Sequence, residues 1–470
     1  MTDQTLSAVL AEFAVRPGPL PSEVTASVRD RVLDVLGLCV GARQLDTSAA
    51  AIAYVLEQGG TGQAHVVGEE QRVPAALAAL ANGVLAHSLD YDDTHLPSVL
   101  HPSASVVPAA LAAAEAVRAD GPALLAAVAV GLEVCVRLGM AGYDHATNNS
   151  VYFEHGQHAT SICGAIGSAV AAAVLYGLDA AGVAHAIGVS ASMSSGVIEA
   201  NRTGGTVKRL HCGWAAHAGV SAAQLVRHGF TGPPTVLEGR FGFFEAFLHG
   251  RFDADALTDG LGEKWEVPRI FFKPYPANHF THTIVDAGRA LREQGVDPDE
   301  VESLVIGVPE PVVRTVGEPI GRKRAPSTPY EAQFSGPYAV SIGLLGGSGL
   351  GASLADYAPD RLDEPRRRRL MACADVVADE ECTAIFPHQF PAVVRARTRD
   401  GREWTAKVPA NRGGPDNPLT VEELRAKFRD NARELLDEDA VRAVEEGVAR
   451  LPDGFPPHEL LALTRVRPGA

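Results

Sequence analysis

From Ala75 to His228 the chain is a succession of Ala-, Gly- and Ser-rich apolar stretches separated by short breaks of Gly, Pro, Asp or Asn. Side chains this small let helices approach closely and leave little room for a large internal cavity. The spacing predicts helices over Ala75–His87, Pro102–Arg118, Pro122–Met140, Thr160–Tyr176, Ala180–Ala191 and Gly213–His228. An earlier helix starts at Pro21-Ser22 and turns Val24, Val28, Val32, Leu36 and Cys39 to one face. An active site in such a packing belongs at helix ends or at a domain boundary.

One break is unlike the others. Residues 87–103 place Asp90, Asp92, Asp93, Thr94, His87, His95 and His101 between two helices. So many titratable groups beside apolar helices point to proton transfer, a metal or a polar ligand. A metal is one reading, since His and Asp are good ligands and His155 and His158 add imidazoles. Against it, the chain has no H-E-x-x-H motif and no cysteine ligand set. The plainer reading, Asp and Thr as turn and capping residues, suits Asp92 or Asp93.

Charge narrows the partners. With 41 basic and 57 acidic residues the net charge is −16, which argues against a nucleic-acid or anionic-membrane surface. It leaves room for a local basic pocket that takes an anionic substrate. The six cysteines form no C-x-x-C pair and read as buried, reduced thiols of a cytoplasmic protein. The N-terminal Met-Thr-Asp-Gln lacks the basic and apolar regions of a signal peptide. The uncharged run Ser161–Leu178 is long enough for a membrane span, but its small residues suit a helix inside a helical core.

The pattern changes near Pro268. Leu304, Ile306 and Val308 alternate with other residues as a strand does. Val394, Ala396 and Thr398, then Asp400-Gly401, then Trp404, Ala406 and Val408 predict a β-hairpin with an Asp-Gly turn. A Pro/Gly/Asn-rich stretch, residues 409–418, precedes a charged helix from Thr420 to Leu436 and a last one over Ala440–Leu451. The expected fold is mainly α. A large helical domain (1–267) is joined by C-terminal helices (419–470), with a smaller α+β domain at 268–418.

Further motifs carry chemistry. Lys208 lies after Gly204-Gly205 and just before the helix predicted from Gly213. An ammonium group at a helix N-terminus makes a carboxylate or phosphate site, and a solvated loop lysine is the plain alternative. Lys273, His279 and His282 sit among aromatics and prolines where helix gives way to strand, either a fixed lysine loop or simply a linker. Tyr338 starts an apolar stretch and by itself reads as packing. Gly347-Ser-Gly-Leu-Gly-Ala352 fits a loose dinucleotide fingerprint, but the strand–helix context is missing.

Together these segments resemble the MmgE/PrpD family, whose members include 2-methylcitrate dehydratase, cis-aconitate decarboxylase and iminodisuccinate epimerase. The resemblance rests on His87-Ser-Leu-Asp90-Tyr-Asp-Asp-Thr94, His101-Pro-Ser103, Gly156-Gln-His158-Ala-Thr-Ser161 and Lys208-Arg-Leu-His-Cys-Gly213. It continues through Lys273-Pro-Tyr-Pro276, Thr281-His282 and Ala332-Gln-Phe-Ser335 to Tyr338. It implies a helical domain with an α+β lid, a homodimer, and no metal or organic cofactor. The family's active-site residues fall on Asp90, Thr94, His101, His158, Lys208, Lys273 and Tyr338, with His282 among those that bind substrate. Two departures bear on the substrate. The Thr94–His101 segment is one residue longer than in the decarboxylase and carries His95, and Asn278-His279 replaces the cysteine and arginine of many members.

The chemistry implied begins beside a carboxylate of a small di- or tricarboxylate. Lys208 and Lys273 would bind carboxylates and stabilise an enolate-like state, while Thr94 positions one of them. Asp90 and His101 would form the acid/base pair, with His158 and Tyr338 as proton donors. The leading expectation is a hydro-lyase like 2-methylcitrate dehydratase. A decarboxylase or epimerase on the same scaffold, and a non-catalytic carboxylate-binding protein, are the alternatives.

Overall fold

The computed structural model describes residues 4–147 and 149–466. Part of the N-terminal segment read above for targeting lies outside them. The protein is mainly α-helical, and its chain divides into two compact units, Met1–Ile270 with Asn431–Ala470, and Phe271–Asp430.

In the first unit the expected helices form as Ser22–Gly41, Ala75–His87, Ser103–Val117, Gly121–Ala141, Ala159–Leu175 and Ala180–Met193. Val24, Val28, Val32, Leu36 and Cys39 are all buried on one face of Ser22–Gly41. The last expected helix starts six residues early, as Val207–Arg227. Gly213, read as a helix start, is instead an interior packing residue. Lys208 is therefore inside the first turn rather than ahead of the helix.

Small residues set the packing distance. Val207–Arg227 packs along Ala75–His87 and Ala159–Leu175. Gly83 and Gly213 meet at the first of these crossings: a Cβ on Gly83 would stand 2.7 Å from the Gly213 Cα. A Cβ on Gly213 would stand 2.3 Å from the Leu80 carbonyl oxygen. Gly131 and Gly167 play the same part between Gly121–Ala141 and Ala159–Leu175. Gly121–Ala141 is the one described helix long and apolar enough to cross a membrane, and most of it is buried in this unit. Its Glu133 and Arg137 pair at 2.7 Å in the interior. Ala159–Leu175, from the uncharged run, is buried along almost its whole length. The C-terminal helix Glu438–Ala449 packs on Ser22–Gly41, and Pro457–Ala462 packs on Ser103–Val117.

The second unit holds a four-stranded sheet in the order Ala374–Ala378, Val301–Val308, Ala392–Thr398, Glu403–Val408. Val301–Val308 runs parallel to the first of these and antiparallel to Ala392–Thr398. The hairpin turns at Asp400-Gly401, where Gly401 takes a φ of +83°, a conformation glycine adopts without strain. Leu304, Ile306, Val394 and Ala396 join Ile284 and Leu291 of helix His282–Glu293 in one apolar core. This unit extends past Pro418 to Asp430, beyond the boundary expected from composition. The start of helix Val421–Ala432 is tied to it, since Glu423 accepts from Arg412 as well as from the Thr420 N–H.

Gly213→Ala is expected to lower stability by about 1–3 kcal/mol, because backbone stands where the methyl group must go. Gly321→Ala, which meets nothing within 4 Å, is the near-neutral control. Equal melting temperatures for the two variants would show that the crossing tolerates a side chain.

Candidate active site

The polar segment opens where helix Ala75–His87 ends and closes where Ser103–Val117 begins. Its three aspartates have three different partners. Asp93 is buried and pairs with Arg31 at 2.8 Å. It also accepts from the backbone N–H of Ser103 at 3.2 Å and from the Ser103 hydroxyl. Asp93 thus joins one helix start to a buried arginine, which itself donates to the Ile270 carbonyl. Asp92 is buried and 2.7 Å from Nδ1 of His87. Asp90 takes a left-handed φ of +54°, and its Oδ1 is 4.0 Å from the Lys208 ammonium. Turn and capping roles account for Asp93, as the sequence suggested, and leave Asp90 beside a cation.

Lys208, His211 and Cys212 share one face of the Val207–Arg227 start, being three and four residues apart. The Gly83–Gly213 crossing brings that face against the end of Ala75–His87. The His158 ring lies 5.8 Å from that of His87 and 4.9 Å from that of His211. His101 is 5.8 Å from His87 on another side. A cluster of four imidazoles results, with Lys208 and Asp90 beside it.

Hydrogen bonds fix where protons sit. Nδ1 of His101 is 2.6 Å from the Asp93 carbonyl oxygen, which can only accept. That nitrogen therefore carries the hydrogen, and in neutral His101 the basic lone pair is on Nε2. Thr94 adds a longer contact to the same Nδ1, at 3.3 Å. The Nδ1 atoms of His158 and His211 face each other at 2.9 Å, so one must accept, and at least one ring is neutral. Burial, reinforced by the charges of His87 and Lys208, holds His158 well below the usual histidine range. The same influences push His211 down to about 4.

His87 moves the other way. Burial opposes its charge, but Cys212 and Asp92 outweigh that and push it up to about 10. Burial also raises the Cys212 thiol, so at neutral pH it is the Asp92 carboxylate that keeps the proton on His87. A fixed cation thus stands beside neutral imidazoles able to accept protons.

The remaining candidates are placed as follows. His95, the extra imidazole, is buried between Ser98 at 2.8 Å and Glu266 at 3.2 Å, a structural position. Lys273 is buried in a loop of the second unit. His282, at the start of helix His282–Glu293, is buried with Nε2 3.2 Å from the Ala277 carbonyl. Tyr338 lies in the apolar core of the second unit and donates its hydroxyl to the Asp356 carbonyl at 2.6 Å. Its ring also faces Arg367 at 4.8 Å. This placement corrects the proton-donor role expected for Tyr338, because its one hydrogen is already engaged. Among the described residues no three His, Cys, Asp or Glu side chains are grouped to hold a metal ion. The sequence reading passed over His211 and Cys212, although their spacing from Lys208 on a helix was the available signal.

Comparison with known proteins agrees with these residues. The MmgE/PrpD N-terminal domain matches residues 8–255, and the MmgE/PrpD C-terminal domain matches 275–453. The chain belongs to the MmgE/PrpD family. Its relatives include the Mus musculus cis-aconitate decarboxylase, 30% identical over 81% of this chain and 77% of that protein. The Homo sapiens cis-aconitate decarboxylase is 28% identical over 96% and 92%. The Aspergillus terreus enzyme of the same name is 26% identical over 94% and 92%. In this MmgE/PrpD chain the histidine cluster, Asp90 and Lys208 all fall within the N-terminal match, and Lys273 has been left just outside both matches.

The cluster makes stability depend on pH with a definite sign. An unfolded imidazole titrates near 6.5, so between about pH 6.5 and 4 the unfolded chain binds more protons at position 211 than the folded one does. That contribution is intact above pH 6.5 and lost as pH falls through the window. His211→Asn is expected to lose less melting temperature between pH 7 and 5 than the unaltered chain. Identical slopes would show that His211 titrates normally.

Proposed function

We propose that this chain is a cofactor-independent lyase acting on a small polycarboxylate, with decarboxylation of a cis-aconitate-like tricarboxylate as its reaction. The observation that carries the reading is the gathering of Lys208, Asp90 and Thr94 with the imidazoles of His101 and His158 in one unit. Lys208 and Thr94 hold a substrate carboxylate, and Asp90 sets the ammonium in place. Lys273 binds a second carboxylate. Loss of CO2 breaks a C–C bond and leaves an electron pair. The adjoining C=C and carboxylate take it up, steadied by the fixed charges of Lys208 and His87. A proton must then reach carbon, and the exchange runs through Nε2 of His101 and the neutral His158.

Two things move the reading away from the hydro-lyase expected from sequence. The relatives found over nearly the whole chain are named cis-aconitate decarboxylases. Dehydration also needs an acid for the departing hydroxyl, and the Tyr338 hydroxyl cast in that role is bonded to Asp356. Carboxylate recognition and proton delivery to carbon, which decarboxylation needs, do not depend on Tyr338. A cytoplasmic homodimer belongs to the same proposal, from the resemblance and from six cysteines that are all free thiols.

The test is incubation with cis-aconitate and with 2-methylcitrate. Release of CO2 from the first, falling about 100-fold or more in His101→Ala and in Lys208→Ala, is the expected result. New ultraviolet absorbance from 2-methylcitrate without gas release would restore the hydro-lyase. Full activity in either folded variant would remove that residue from the mechanism. No turnover across a carboxylate panel would leave a binding protein.

A further inference from the structure

The second unit contains a buried polar network that the reaction above does not use, centred on the hydroxyl of Tyr275. That residue is two positions from Lys273, in the loop Lys273-Pro274-Tyr275-Pro276, where both prolines restrict the backbone. The Tyr275 side chain is fully buried. Its hydroxyl donates to Asp286 Oδ1 at 2.5 Å and accepts from Nη1 of Arg412 at 2.9 Å and of Arg289 at 3.3 Å. Both guanidinium groups also donate to the Leu350 carbonyl. Arg412 reaches on to Glu423. Four separate stretches of chain therefore close on one oxygen atom.

The glycine-rich stretch that resembled a dinucleotide fingerprint is one of the four. A Cβ on Gly351, whose φ is +136°, would stand 2.9 Å from the Tyr275 oxygen and 3.0 Å from the Arg289 side chain. Its glycine lets the backbone close over the network, which gives the motif a packing reason unrelated to nucleotides. The lysine loop is fixed on both sides as well. The Phe272 N–H donates to the Gly413 carbonyl at 2.9 Å, and Gln333 donates to the Pro276 carbonyl at 2.8 Å.

A phenol that donates once and accepts twice in the interior has a fully specified geometry. Burial, with Asp286 beside it, also raises its pKa, so it stays neutral. Such an anchor costs desolvation of three charged groups, and packing alone would not call for it. We propose that Tyr275, held by Asp286 and Arg412, is a positioning residue that fixes the Lys273 ammonium for a substrate carboxylate. The proposal rests on the carboxylate-binding role given to Lys273 above.

A double-mutant cycle on the full chain with cis-aconitate separates the two ideas. Lys273→Ala is expected to raise KM about tenfold or more, and Tyr275→Phe to raise KM several-fold in the same direction with little change in kcat. In the Lys273→Ala background Tyr275→Phe should then change KM less than about twofold, since it acts through the missing lysine. Asp286→Asn, which keeps size and an acceptor oxygen, should show the same dependence on Lys273 and serves if Tyr275→Phe does not fold. A KM effect from Lys273→Ala together with no effect, or an independent effect, of the other two variants would overturn the positioning role alone. No KM effect from Lys273→Ala would overturn the lysine's carboxylate role and the positioning inference with it.

Discussion

The crossing of Gly83 and Gly213 governs the candidate site. Two helices whose backbones meet at a pair of glycines have a fixed separation, because no side chain lies between them to adjust it. One of these helices ends at His87, and the other begins just before Lys208. The crossing therefore sets the distance between the carboxylate-rich loop and the ammonium and imidazole groups. The Ala, Gly and Ser content of the first unit is in this sense a requirement of the chemistry as well as of the fold.

Buried charge does the second part of the work. Arg31 and Asp93 form an ion pair in the interior, and burial alone would disfavour both members. The pair is satisfied through Ser103 and Ile270, and it holds the loop whose backbone carbonyl orients His101. Asp92 keeps a proton on His87, and that positive charge helps keep His158 and His211 neutral. Each aspartate of one short segment thus does a different job. The segment's density of acids is explained by structure, electrostatics and substrate handling together.

Some of the site was legible in the chain and some was not. Asp90, Thr94, His101, His158 and Lys208 stood out by residue type and order, and the structure gathers them in one unit. Tyr338 stood out only through resemblance, and its hydroxyl proves to be satisfied within the core of the second unit. His95 was conspicuous as an added imidazole, yet Ser98 and Glu266 bury it as a structural group. Residue type shows what a side chain can do, and its hydrogen-bond partners decide whether it is available to do it.

The sequence by itself determined where the helices and the Asp-Gly hairpin form, because periodicity and turn chemistry depend on residues a few positions apart. It also determined that residues 87–103 would be polar between apolar helices. Only the tertiary structure decided which aspartate pairs with which cation, since Asp93 finds Arg31 62 residues away and Asp90 finds Lys208 on another helix. It also decided that Gly213 lies inside a helix, because a glycine reads locally as a break and only a facing backbone makes it a contact. Charge states followed from the same source, as burial and distant neighbours set them and neither is written in local sequence.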